Sequence, residues 1–92
     1  MKPRKRDEIE RALCKKGFVL NHSHHDMLFF YKGEKKTKIY TRLSHGISEY
    51  SKSLMSKMKR QLKLSSDELD MLIDCPLTKE MLLEIYIERG MV

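Results

Sequence analysis

Three histidines sit within four positions of this chain, His22, His24 and His25, directly ahead of the apolar run Met27-Leu28-Phe29-Phe30-Tyr31. A fourth, His45, lies in the same region, between Gly17 and Gly46. Imidazole is the one side chain whose ordinary pKa lies between pH 5 and 8, so it can take and give protons near neutrality. Lysines and arginines flank the cluster on both sides, which points to a phosphate polymer as the substrate. His22, His24 and Asp26 alternate, but the pattern is not that of a metallo-hydrolase, and histidines with no further ligand are weak support for zinc. No metal and no small-molecule cofactor are expected.

The elements that position these rings follow from patterning. Phe18-Val19-Leu20 begins a short strand, and an irregular link covers Asn21 to Ser23. A second strand spans about His25 to Tyr31, Lys32-Gly33 turns the chain, and a third strand spans about Lys36 to Leu43. Adjacent strand residues face opposite ways, so His25, Met27, Phe29 and Tyr31 share one face and His24, Asp26, Leu28 and Phe30 the other. Both faces carry apolar residues, and alternation alone does not say which one packs. Only one of His24 and His25 can sit on the open surface.

Helices flank the strands. The first is predicted from Arg4 to Lys16, with Pro3 ahead of it, Asp7, Glu8 and Glu10 in its early turns, and an apolar stripe of Ile9, Ala12, Leu13 and the Lys16 stem. Gly17 sits where a left-handed cap belongs. The second is predicted from Ser48, as N-cap, to Leu62, with Leu54, Met55, Met58 and Leu62 facing the core. Ser65 and Glu68 form a capping-box pattern ahead of a short helix bearing Leu69, Met71, Leu72 and Ile73. Thr78 can cap a last helix through about Arg89, with Met81, Leu82, Ile85 and Ile87 as its apolar residues. The order is α-β-β-β-α followed by two short C-terminal helices, an α+β architecture in one domain, residues 1–92.

Composition narrows the function. The 92 residues are 40% hydrophobic and 35% charged, a globular balance. No apolar run approaches the roughly 18 residues of a membrane span, and the basic N-terminus lacks the apolar stretch of a signal peptide. A cytoplasmic location is expected, with Cys14 and Cys75 as reduced, partly buried thiols. The net charge of +6 is uneven: residues 1–60 hold 16 Lys and Arg against 6 Asp and Glu, a balance of +10, and residues 61–92 hold 3 against 7, a balance of −4. A polyanion meets the first part and is repelled by the second. Candidate phosphate contacts are Lys35, Lys36, Lys38 and Arg42 on the third strand and Lys52, Lys59 and Arg60 on the second helix. Tyr40 can stack on a base; Tyr31 or Tyr40 can equally cap the core edge.

These residues resemble a known family. Lys15-Lys16-Gly17-Phe18-Val19, Ser23-His24-His25-Asp26-Met27, Gly33-Glu34-Lys35-Lys36-Thr37-Lys38 and Ser44-His45-Gly46 occur in the order seen in the HicA-type toxins, small proteins that cleave messenger RNA. The resemblance covers roughly residues 4–64; residues 65–92 form a C-terminal helical extension beyond it. Where the family carries a glycine ahead of its histidine, His22 and Ser23 stand instead. The resemblance implies a double-stranded-RNA-binding-domain-like core, metal-independent endoribonuclease activity with one histidine as general acid/base, and a HicB-like antitoxin partner. Counting back from Gly33 places the active histidine at His25; a shift of one position selects His24. A non-catalytic RNA-binding module of the same fold would share every basic residue and differ only in lacking catalysis at the histidine.

Overall fold

A computed structural model describes residues 2–22, 25–44, 46–74 and 76–92. The chain runs β1 (Arg4–Lys5), α1 (Arg6–Lys15), β2 (Phe18–Asn21), β3 (Asp26–Lys32), β4 (Lys35–Leu43), β5 (Glu49–Tyr50), α2 (Lys52–Leu62), α3 (Ser66–Ile73) and α4 (Lys79–Glu88). This is a mixed α+β molecule. β2, β3 and β4 form one antiparallel sheet in sequence order, and β1 and β5 form a separate two-stranded clip. His24, His45 and Cys75 lie outside the described residues.

Both N-terminal helix boundaries differ from expectation for one reason. Arg4 and Lys5 pair antiparallel with Tyr50 and Glu49 instead of opening α1. The first helical N–H, that of Arg6, donates to the Ser48 carbonyl at 2.9 Å, which satisfies a donor the helix itself leaves free. Ser48 is therefore spent on the clip, and the N-cap of α2 falls to Ser51, whose hydroxyl accepts from the Leu54 N–H. Two-residue pairing between segments more than 40 positions apart leaves no periodic trace in a sequence.

The hairpin follows the predicted plan. Gly33 has a φ of +64°, and among the two turn residues it alone lies in the left-handed region, as a II′ turn requires. A register shift between Phe29 and Tyr31 is stabilised by Thr37, whose hydroxyl donates to the Phe30 carbonyl at 2.6 Å and accepts from the Ile39 N–H.

The face left open by alternation is resolved by burial. Leu28 and Phe30 from β3, Phe18 from β2, and Ile39 and Leu43 from β4 join the core beneath the helices. Met27, Phe29 and Tyr31 turn the other way, onto the face that carries Val19 and Tyr40. The C-terminal helices supply Leu69, Leu72, Ile73, Leu82 and Tyr86 to the same core, and the link between them supplies Leu77. Tyr86 is fully buried, meets Phe30 edge-on with centroids 5.1 Å apart, and donates to the Leu62 carbonyl at 2.8 Å. Burial pushes its hydroxyl pKa well above the ordinary tyrosine value. Met81 and Ile87, expected on the apolar stripe of α4, are instead exposed, because Leu82 and Tyr86 take the core side. Both predicted caps form: Ser65 and Glu68 make a reciprocal capping box, and the Thr78 hydroxyl accepts from the Met81 N–H. Cys14 is exposed rather than partly buried; the surroundings of its sulfur and the Glu10 carboxylate still raise its pKa.

Arg4 ties the N-terminus to α3. It is buried, and its guanidinium reaches Asp74 at 2.6 and 2.9 Å and Asp70 at 3.1 Å. The Arg4 hydrogen bonds hold the Asp74 carboxyl below its usual range. A depressed carboxylate pKa contributes stability above the unfolded value of about 3.9 and loses it as pH falls through the folded value. Thermal melts should therefore fall on acidification below about pH 4, and Asp74→Asn should flatten that acid limb while lowering the neutral melting point. An acid limb identical in the two proteins would mean that this pair is not formed in solution.

Candidate functional site

The end of the sheet where β3 starts and β4 finishes collects the candidate residues. His25 immediately precedes β3 and is exposed. Met27 pairs with Arg42, and the Arg42 guanidinium lies 3.1 Å from His25 Nδ1. Guanidinium only donates, so Nδ1 accepts and the ring proton sits on Nε2. His25 and Arg42 thus share the open side of the sheet. His24, the alternative, falls outside the described residues.

Alternation along β4 continues this side. Lys36, Lys38, Tyr40 and Arg42 are exposed, while Ile39, Thr41 and Leu43 are buried between them. The Lys36 ammonium lies 3.8 Å from the centroid of Phe29, and Phe29 and Tyr40 rings are 5.7 Å apart. Tyr40 is 44% exposed, so its ring offers a stacking surface; Tyr31 is half-buried. The open face is a row of cations beside flat aromatic surface, a combination suited to single-stranded nucleic acid. Lys35 stands at the hairpin end of the same strand, exposed.

The helix-two candidates do not join this row. α2 packs against β4 through Met55, Met58 and Leu62, and Gln61 accepts from the Thr41 hydroxyl at 2.6 Å. Lys59 points to α3, where it donates to the Ser66 hydroxyl, and Lys52, seven residues earlier, shares its flank. Arg60 is exposed, opposite the core stripe. The flank that meets β4 carries Leu54, Lys57 and Gln61, which with Arg42, Ser44 and Tyr50 line a cleft of about 220 Å³. Lys57 was not among the sequence candidates. Its spacing of three from Leu54 and four from Gln61 places it on one flank, but only the docking of α2 says which flank meets the strand.

On the helix side of the same corner, Asp26 is buried. Its carboxylate accepts from Arg6 at 2.6 Å and lies 2.8 Å from His22 Nδ1. Arg6 in turn reaches Glu10 and the Ser44 carbonyl, each at 3.2 Å. The alternation of His22 and Asp26 suggests only a metal-ligand spacing in the sequence; in the structure Arg6 occupies the carboxylate. Among the described residues, no three His, Cys, Asp or Glu side chains converge as a metal site, and no helix is long and apolar enough to cross a membrane.

Searches against protein-family models, curated proteins and solved structures found no match to this chain.

Proposed function

We propose that this protein is a HicA-type endoribonuclease that cuts messenger RNA without a metal, His25 acting as general acid/base, and that a HicB-like antitoxin masks the site. The observation that carries the reading is the placement of His25 against Arg42, on an open sheet face lined by Lys36, Lys38 and Tyr40. The order α-β-β-β-α, with a three-stranded antiparallel sheet covered by helices on one side, supports a double-stranded-RNA-binding-domain-like core. The short motifs read above from Lys15 to Gly46 support the family assignment.

The chemistry needs little machinery. RNA carries its own nucleophile, the 2′-hydroxyl, and a positioned acid or base supplies about 10²–10⁴ in rate. A guanidinium beside the phosphate stabilises the charge that grows there in the transition state. The product is a 2′,3′-cyclic phosphate and a 5′-hydroxyl end. The test is incubation of the purified full chain with messenger RNA in the presence of a chelator, with end-group analysis of the fragments. Cyclic phosphate ends support the reading; binding without scission selects a non-catalytic RNA-binding module.

The basic row has its own signature. Each phosphate contact on a single strand adds about 0.7 to the slope of log affinity against log salt. Lys36→Ala, Lys38→Ala and Arg42→Ala combined should lower that slope by about 2. The pair Lys52→Ala and Lys59→Ala, on the far flank of α2, should leave it nearly unchanged. Equal losses in both variants would show that the polyanion does not follow β4.

A further inference from the structure

We propose that the cleft between α2 and the end of β4 holds a second phosphate of the RNA strand, next to the one at His25, with Lys57 and the Gln61 amide as its donors. The proposal rests on the endoribonuclease reading and adds to it a second binding position along the strand.

The cleft of about 220 Å³ has one wall on α2, where Lys57 and Gln61 stand beside Leu54, and another formed by Arg42 and Ser44. That volume is below the roughly 300–1,000 Å³ of pockets that enclose a drug-sized molecule, so the cleft admits one group of a strand and not a whole nucleotide. Tyr50 also lines it; the residue is 3% exposed, and its hydroxyl accepts from the Ser44 N–H at 2.6 Å.

The uncommitted polar atoms select the group. Thr41 is fully buried, and its hydroxyl donates to the Gln61 carbonyl oxygen at 2.6 Å. That bond fixes the amide and leaves its NH₂ as the donating end. Lys57 is exposed, and neither Lys57 nor Arg42 has an ion-pair partner among the described residues. No Asp or Glu lines the cleft. Two cations in a concavity without an acidic wall focus positive potential there. The edge of a base presents donors as well as acceptors, and its donors would face donors here. Phosphate oxygens only accept, and they carry the charge that the two cations lack.

Arg42 joins this cleft to His25. β4 is an edge strand of its sheet. Arg42 borders both sides of that edge: its guanidinium lies 3.1 Å from His25 Nδ1, and the same residue lines the cleft beside α2. A strand with its scissile phosphate at His25 and Arg42 therefore brings a neighbouring phosphate over the edge to Lys57 and Gln61.

The test uses a short single strand copied from a messenger-RNA site that the protein cuts. Every ribose but the one at that site is 2′-O-methylated, and the phosphates are replaced one at a time by uncharged methylphosphonate. In wild type, neutralising one phosphate adjacent to the scissile one should lower kcat/KM about tenfold, through KM, the low end for a hydrogen bond to a charged group. In Lys57→Ala the same replacement should cost less than about threefold, because the partner of that phosphate is already gone. Gln61→Glu keeps an acceptor for Thr41 and turns an anion toward the phosphate, so it should show the same shrinkage. Lys52→Ala, on the far flank of α2, should keep the tenfold cost. Each cost is a ratio within one variant, so a partly unfolded fraction cancels. Equal costs in wild type and Lys57→Ala at every adjacent phosphate, an undiminished cost in Gln61→Glu, or the same shrinkage in Lys52→Ala would each overturn the subsite while leaving the endoribonuclease reading in place. No scission of messenger RNA by wild type would remove that reading, and the subsite with it.

Discussion

His25→Ala should lower RNA cleavage by about 10²–10⁴-fold without moving the melting curve. The kinetic loss follows from removing the imidazole that touches Arg42 on the open face. The intact fold follows from exposure: His25 precedes β3, and an exposed substitution away from special backbone geometry stays within about 0.5 kcal/mol. Arg42→Ala should also slow cleavage, but through phosphate affinity as well as rate, so its salt slope falls while that of His25→Ala does not. Induction in cells supplies a second readout. Growth and transcript integrity should recover with His25→Ala, and the parallel His24→Ala decides between the two neighbours. Unchanged degradation by His25→Ala would exclude that ring.

Tyr86→Ala should cost about 4 kcal/mol, the middle of the range for removing a buried aromatic ring. Such a loss is a large part of the 5–15 kcal/mol that holds a typical domain together. At roughly 4–8 °C per kcal/mol for a domain of this size, the melting point drops by about 15–30 °C. Tyr86→Phe separates the terms. It keeps the edge-on contact with Phe30 and the filled volume, and loses the bond to the Leu62 carbonyl, a loss of about 1 kcal/mol. A shift of only a few degrees in Tyr86→Ala would mean that the helices after residue 65 do not share the core of the sheet. This matters for function, since truncating them would remove the ring that covers Phe30 behind the candidate site.

Local patterning was legible. The hairpin turn at Gly33, the capping box at Ser65 and Glu68 and the cap at Thr78 each depend on residues a few positions apart, and all stand where spacing put them, the turn type being the structure's addition. What needed tertiary contact was not legible. The β1–β5 clip displaced both the start of α1 and the cap of α2, because strand pairing between Arg4 and Tyr50 has no local signature. The same holds for the faces. Alternation placed His25 with Phe29 and Tyr31, yet only the burial of Leu28 and Phe30 says that this side is open. The basic candidates divided likewise: β4 alternation aligned Lys36, Lys38 and Arg42, while the rotation of α2 turned Lys59 toward Ser66 and brought in Lys57. Charge counting found the cationic half but not Arg4, whose side chain is buried against Asp70 and Asp74 and takes no part in the open surface.

The claim on which the rest depends is that nucleic acid lies along the open side of the sheet. Amide correlation spectra of the full chain, titrated at low salt with a short single strand whose 2′-hydroxyls are methylated to prevent scission, test it directly. The expected result is a set of shifts along β4 from Lys36 to Arg42, at His25 and Phe29 on the facing strand, and at Lys57, with α3 and α4 quiet. Shifts confined to α3 and α4, or none as RNA is raised to a large excess, would contradict it.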